Sequence, residues 1–262
     1  MKIVRFRHKD TLQYGLLEED QVIPAKGDPF AGLEPGTSRL GLEEVQLAPP
    51  IDPPNIYAIG RNYREHAAEG GFEAPEKPII FLKATTSIIG PGENIEIPVM
   101  LPESVDYEGE LVVVIGKKAK HVSEEDALGI VLGYTCGNDV SCRKAQRGDN
   151  QWTRGKSFDT FCPLGPVIRT DLDPSNLDIK TRLNGETMQD SNTSNMIFDC
   201  KKLISYLSRA FTLLPGTVIM TGTPEGVGYP RTPPVFLKEN DVIEVEIEGI
   251  GVLPNPVINE KP

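Results

Sequence analysis

The 262-residue chain has no apolar run long enough to cross a bilayer, which takes about 20 residues. Its opening residues, Met1 to His8, carry no apolar stretch of signal-peptide length, so the expected compartment is the cytoplasm and no membrane partner is expected. Basic clusters are missing too: 27 Lys and Arg stand against 38 Asp and Glu, a net charge of −11. Such a chain has nothing to neutralise a phosphate backbone, which argues against nucleic acid. An anionic substrate would have to be held by a few local cations, because the overall field repels it. Histidine is scarce at three residues, and the four cysteines, Cys136, Cys142, Cys162 and Cys200, show no Cys-x-x-Cys spacing. This argues against a zinc cluster and leaves reduced, packed thiols. His8, among Lys and Arg, reads as a surface residue, and His121 as a loop residue without a partner.

What is present suits a globular protein, with 39% hydrophobic and 25% charged residues. Lys2–His8, Leu12–Leu17 and Gln21–Pro24 read as short strands separated by turns. The run Leu47-Ala-Pro-Pro-Ile-Asp-Pro-Pro54 holds four prolines in eight positions and cannot continue a helix or sit inside a strand, so it reads as a linker. The expected division is a small β-rich unit over 1–51 and a larger one over 52–262. Beyond the linker, strands are expected at 56–60, 79–83, 110–115, 130–136, 167–169, 217–222 and 242–248. The clearest helix is Asp199–Leu213, capped by Asp199, with an apolar stripe of Leu203, Ile204, Leu207 and Phe211 and a stop at Pro215-Gly216. A second is expected after Ser123, with Asp126 placed for a capping box. The fold class is therefore mainly β with a few helices, α+β.

The stretch Asp106-Tyr-Glu-Gly-Glu-Leu-Val-Val-Val-Ile-Gly116 is the most informative. As a strand it places Glu108 and Glu110 on one face with Val112 and Val114, while Leu111, Val113 and Ile115 line the other. Apolar side chains on both faces mark a strand buried on both sides. Two residue rises put the two Cβ atoms roughly 6.6 Å apart. If the carboxylates converge to about 4 Å, the repulsion is on the order of 4 kcal/mol at a protein-like dielectric. A Lys or Arg would relieve it, and so would a hard cation; a solvated strand end is the third option.

Four further stretches carry potential chemistry. In Gly60-Arg-Asn-Tyr-Arg-Glu-His-Ala-Ala-Glu69, a helix from Tyr63 sets His66 and Glu69 on one face, the arrangement of an oriented general base or of an incidental surface contact. Gly70-Gly71 follows, so the segment is a candidate lid. In Gly137-Asn-Asp-Val-Ser-Cys-Arg-Lys-Ala-Gln146, Asp139 ends a strand ahead of a short helix carrying Arg143 and Gln146. That suits a metal ligand beside an anion clamp, or a simple helix cap. Arg154-Gly-Lys-Ser-Phe158 places Lys156 in a polar loop. Thr221-Gly-Thr-Pro-Glu-Gly-Val-Gly228 is a glycine-rich loop without the spacing of a phosphate or dinucleotide site; it is either a plain tight turn or one whose glycines let backbone N–H groups and the Thr223 hydroxyl approach a small ligand.

Together, and with Pro78-Ile-Ile-Phe-Leu-Lys83 and Glu248-Gly-Ile-Gly-Val-Leu253, these stretches resemble the fumarylacetoacetate hydrolase family over about Asp52 to Ile258. The likeness is to its short acylpyruvate hydrolase and oxaloacetate decarboxylase branch, with a small N-terminal unit added. Ala84 and Thr217 depart from the pattern, and the loop Tyr229–Lys238 has no counterpart. The resemblance implies a mixed β-roll working as a homodimer. It implies Mg²⁺ or Mn²⁺ on Glu108, Glu110 and Asp139, chelating a small 2-oxo acid and stabilising its enolate as a C–C bond breaks. Lys156 would sit by the developing charge, Arg143, Gln146 and Thr223 would hold the substrate, and His66, oriented by Glu69, would activate water. The expected function is acylpyruvate or fumarylpyruvate hydrolysis or oxaloacetate decarboxylation. The alternatives are isomerisation of 2-hydroxymuconate-type diacids or oxaloacetate tautomerisation, and a binding protein that kept the pocket without turnover.

Overall fold

In the computed structural model, which describes residues 1–261, Gly109–Ile115 is buried along its whole length and is the spine of a 13-stranded sheet. It pairs antiparallel with Val131–Asn138 on one side and with Val218–Met220 on the other. Ile56–Gly60 lies parallel to Val218–Met220, and Ile79–Lys83 pairs antiparallel beyond it. On the opposite flank Val131–Asn138 pairs with Cys162–Arg169. The short turn Thr85–Ser87 then takes the chain from Ile79–Lys83 directly to Ile88–Ile89, which pairs with Cys162 and Pro163. Strands that are far apart in the sheet order are thus joined by a few residues, so the sheet curls back on itself as a roll.

The two faces of the spine pack differently, as its alternation requires. Leu111, Val113 and Ile115 meet the helix Cys200–Ala210 through Leu203, Ile204 and Leu207, and meet Ile179, Val245 and Ile247 of a second, five-stranded sheet. Val112 and Val114 meet Ala58, Phe81, Leu164 and Met220 inside the roll. Glu108 and Glu110 belong by parity to this inner face, at its end.

Lys2–His8, Thr11–Glu18 and Gln21–Asp28 form the expected N-terminal meander. Its first strand also pairs with Cys162–Arg169 through Lys2–Arg169 and Ile3–Ile168, so the sheet runs unbroken from this unit into the roll. The proline-rich run is irregular but packed: Ile51 is buried, and Arg5 pairs with Asp52.

Two expected helices differ. The one capped by Asp199, whose carboxylate accepts from the Lys202 amide at 2.9 Å, ends at Ala210. Phe211 is already extended and stacks on Tyr57 at 4.9 Å, so the stripe's fourth member packs from beyond the helix. After Ser123 there is only a 3₁₀ turn, Ala127–Ile130, although Ser123 and Asp126 do bond reciprocally. Gly129 and the start of the Val131 strand leave that segment no length for a helix. All four cysteines are free and buried, as expected, and His121 is exposed. No helix among the described residues is long and apolar enough to cross a membrane.

Candidate active site

The curled sheet brings together acids that are far apart in sequence. Gly109 pairs with Asn138, so Glu108 and Glu110 flank the point where Val131–Asn138 delivers Asp139, and the Asp139 amide donates to the Glu108 carbonyl at 2.8 Å. The Asn138 side chain accepts from the Glu108 amide, which fixes the turn. Gly109 is needed because a Cβ there would stand 2.1 Å from the Thr181 hydroxyl. The three carboxylates are buried, and one oxygen of each lies within 4.8 Å of the others.

Cations surround this cluster. Lys156, on the turn Arg154–Lys156, is buried and donates to Glu108 Oε2 at 2.7 Å and Asp139 Oδ2 at 2.6 Å. Lys83 donates to Asp139 and to the Lys156 carbonyl. Arg143, on the helix Arg143–Gly148, donates to Asp106 at 2.8 Å, to Glu108 Oε1 at 2.6 Å and to Gln146 at 3.1 Å. Four buried carboxylates, including Asp106, therefore face three buried cations, Lys83, Arg143 and Lys156. The deficit falls on Glu110. Burial, then Asp139 and Glu108, push its carboxyl well above the usual range, and the Gly222 amide is its one hydrogen-bond donor. Glu108 goes the other way: burial opposes its ionisation, but Lys156 and Arg143 outweigh it and hold the carboxyl well below the usual range. Lys156, likewise opposed by burial, is raised by Asp139 and Glu108.

This donor set fits a hard divalent cation. It offers only carboxylates, and Glu110 Oε1 is buried without a hydrogen-bond partner. A carboxylate has about four lone-pair sites, so the bonds to Lys156, Lys83 and Arg143 leave capacity on Glu108 and Asp139 as well.

The cluster opens through Glu108, Arg143 and Lys156 into a cavity of about 400 Å³. His66, Glu69, Gln146 and Thr223 also line it. His66 and Glu69 lie on the helix Arg64–Glu69, with His66 Nδ1 2.8 Å from Glu69 Oε1. Glu69 Oε2 accepts from the Gly226 amide at 2.9 Å, which ties the helix to the glycine-rich loop. Asn62 holds the approach to that helix: it donates to the Phe198 and Thr221 carbonyls and accepts from the Phe198 amide.

All nine site candidates from the sequence are thus brought to one cavity or to the buried cluster at its floor. Thr223 and Arg143 serve the scaffold more than a substrate: the Thr223 hydroxyl donates to the Gly109 carbonyl and accepts from Gln189, and Arg143 braces the acids. Sequence reasoning missed Lys83, although its parity with Phe81 turns it inwards, and Asp106, which shares the face of Glu108 and Glu110. Asp106 also accepts from the Gly228 and Tyr229 amides and so anchors the loop that had no counterpart. Arg61, Phe72 and Trp152 of the cavity wall were missed as well.

Residues 55–258 match the family described as Fumarylacetoacetate (FAA) hydrolase C-terminal, and residues 1–50 match Rv2993c-like, N-terminal. The chain is 50% identical over 217 residues to the oxaloacetate tautomerase fahd2, mitochondrial, of Xenopus laevis, covering 81% of this chain and 68% of that one. The crystal structure of 5-carboxymethyl-2-hydroxymuconate delta-isomerase from Mycobacterium smegmatis is 42% identical with a TM-score of 0.90, covering 99% of this chain and 100% of that one. A fumarylacetoacetate hydrolase from Exiguobacterium antarcticum is 37% identical with a TM-score of 0.91, over 99% and 100% of the two chains.

Proposed function

For a chain that belongs to the fumarylacetoacetate hydrolase family, we propose an enzyme that carries a small anionic 2-oxo acid through its enol form, with keto–enol conversion as the reaction best supported. The observation that carries this reading is that a His–Glu pair and a buried acid cluster with Lys156 open on one cavity. Mg²⁺ or Mn²⁺ on Glu108, Glu110 and Asp139 would supply Lewis-acid stabilisation of negative charge on the 2-oxo oxygen.

The protein's own groups do the rest. Glu69 engages one ring nitrogen of His66 and fixes the ring, leaving the other nitrogen for proton transfer. His66 takes a proton from the carbon beside the oxo group; the C–H pair becomes the C=C bond, and the carbonyl π pair moves to oxygen. The same imidazole then returns its proton to that oxygen, completing the enol. Lys156 adds a second positive charge where the oxygen becomes negative. Gln146 gives its carbonyl to Arg143 and keeps its amide N–H groups for the substrate. Thr223 shapes the wall, because its hydroxyl is engaged by the backbone. The working unit is taken to be a homodimer.

A second reading is C–C cleavage, hydrolytic or decarboxylative, in which His66 activates water for the hydrolytic case. The hydrolase from Exiguobacterium antarcticum favours it. Purified protein with Mg²⁺, followed by ultraviolet absorbance on enol-oxaloacetate and by product analysis on acetylpyruvate, separates the two. Faster loss of the enol without pyruvate formation supports tautomerisation, and pyruvate formation supports cleavage. Neither would leave only a binding protein.

A further inference from the structure

Arg61 stands out in the cavity wall as a cation that the protein itself does not use. Its guanidinium lies 3.3 Å from the centre of the Phe72 ring and 5.7 Å from that of Trp152. Among the described residues it forms no ion pair and donates no hydrogen bond to protein, whereas Arg143 is bonded to two carboxylates. Burial lowers its pKa, and no neighbouring acid offsets that cost. A half-buried guanidinium facing a cavity with its donors free is a receptor for an anion.

The backbone gives a second, independent observation. Arg61 has φ = +56°, the left-handed region that a non-glycine residue adopts at a cost of about 1–2 kcal/mol. The next residue, Asn62, is clamped by three hydrogen bonds to Phe198 and Thr221, and these impose the conformation. Trp152 packs so tightly on Gly60 that a Cβ there would come within 2.5 Å of its ring. The backbone on either side of Arg61 is therefore held, and its guanidinium lies over the Phe72 ring and within reach of Trp152. Stacking orients the planar fork while leaving its N–H edges open.

We propose that Arg61 receives the second carboxylate of a dicarboxylic 2-oxo acid, whose first carboxylate and oxo group are held at the acid cluster. This rests on the reading of the cluster as the reaction centre and adds the substrate class to it. The cavity then prefers diacids over 2-oxo acids that end in an uncharged group. Phe72, half exposed beside Gly70-Gly71, covers the guanidinium and excludes water from the ion pair.

Binding tests this without turnover. Titration calorimetry with Mg²⁺ compares 2-hydroxy diacids of four, five and six carbons with the 2-hydroxy monoacids of equal length. The wild type should bind at least one diacid about 10-fold or more tighter than its monoacid partner. Arg61→Leu should lower diacid affinity by about 10- to 100-fold and change monoacid affinity less than about 3-fold, the unchanged monoacid showing that the site is folded. Arg61→Lys should fall between, keeping the charge without the fork. Equal affinities for every wild-type pair, or equal loss of both ligands in Arg61→Leu, overturns the assignment. If no acid of either kind needs Mg²⁺ to bind, it is the reading of the acid cluster that fails instead.

Discussion

Glu69 holds His66 with one carboxylate oxygen and the Gly226 amide with the other, at 2.8 and 2.9 Å. The proposed base is therefore not a free side chain on a six-residue helix, but one corner of a brace between that helix and the glycine-rich loop. Removing the base itself should cost most. General-base catalysis contributes about 10²–10⁴-fold, so His66→Ala should raise the barrier by about 3–5 kcal/mol. Glu69→Gln should cost less, because the ring remains and only its anchoring weakens. Steady-state kcat/KM on oxaloacetate checks both; comparable activity in His66→Ala would remove the imidazole from the mechanism.

The brace can be tested from its other end. Gly226 has φ = +96°, and a Cβ there would meet the Met188 carbonyl oxygen at 2.2 Å. Gly226→Ala should push the loop away and release Glu69, although neither His66 nor Glu69, the proposed catalytic pair, is altered. A displacement of about 1 Å can cost on the order of 10²-fold in rate. The expected signature is a fall in kcat with ligand affinity at the acid cluster retained, read by parallel kinetics and calorimetry.

Divalent metal should stabilise the fold, because the cluster lacks one compensating charge and Glu110 Oε1 has no partner. At a free Mg²⁺ concentration of about 100 times Kd, binding should add roughly 2.7 kcal/mol. Melting curves with EDTA and with Mg²⁺ should separate accordingly, and the gap should shrink in Glu108→Gln, Glu110→Gln and Asp139→Asn. Coincident curves for the wild type would show that the three acids bind no ion.

Lys83 contributes to the architecture of the cluster. It is buried and bridges Asp139 to the Lys156 carbonyl, so Lys83→Met removes one cation from a site already short of positive charge. Breaking a buried pair in this way costs about 3–5 kcal/mol. Urea denaturation should show that loss, and added Mg²⁺ should recover part of it.

Local pattern made some of this legible. The two-sided apolar run of Leu111 to Ile115 announced a buried central strand, and Asp199 announced the start of its helix. Strand spacing put Glu108 and Glu110 on one face and Asp139 at a strand's end, but only the family resemblance joined the three acids into one site. Lys83 and Asp106 were not read, because what matters for each is a partner far away in sequence: Lys83 meets Asp139, and Asp106 meets Gly228 and Tyr229. Arg61 was hidden for a similar reason, since its stacking on Phe72 and Trp152 depends on where three separate segments meet. The turn after Ser123 misled because its capping bonds form without a helix to follow.

The pairing of Lys2 and Ile3 with Arg169 and Ile168 gives the N-terminal meander a protective duty. A chain trimmed of residues 1–50 would bare the Ile168–Arg169 end of the rim of Cys162–Arg169, with Ile168 stripped of its neighbour Ile3. Unpaired backbone groups on an apolar rim recruit strands from other molecules. The trimmed protein should keep the activity of the intact chain at high dilution, yet cloud on concentration, where the intact chain stays clear.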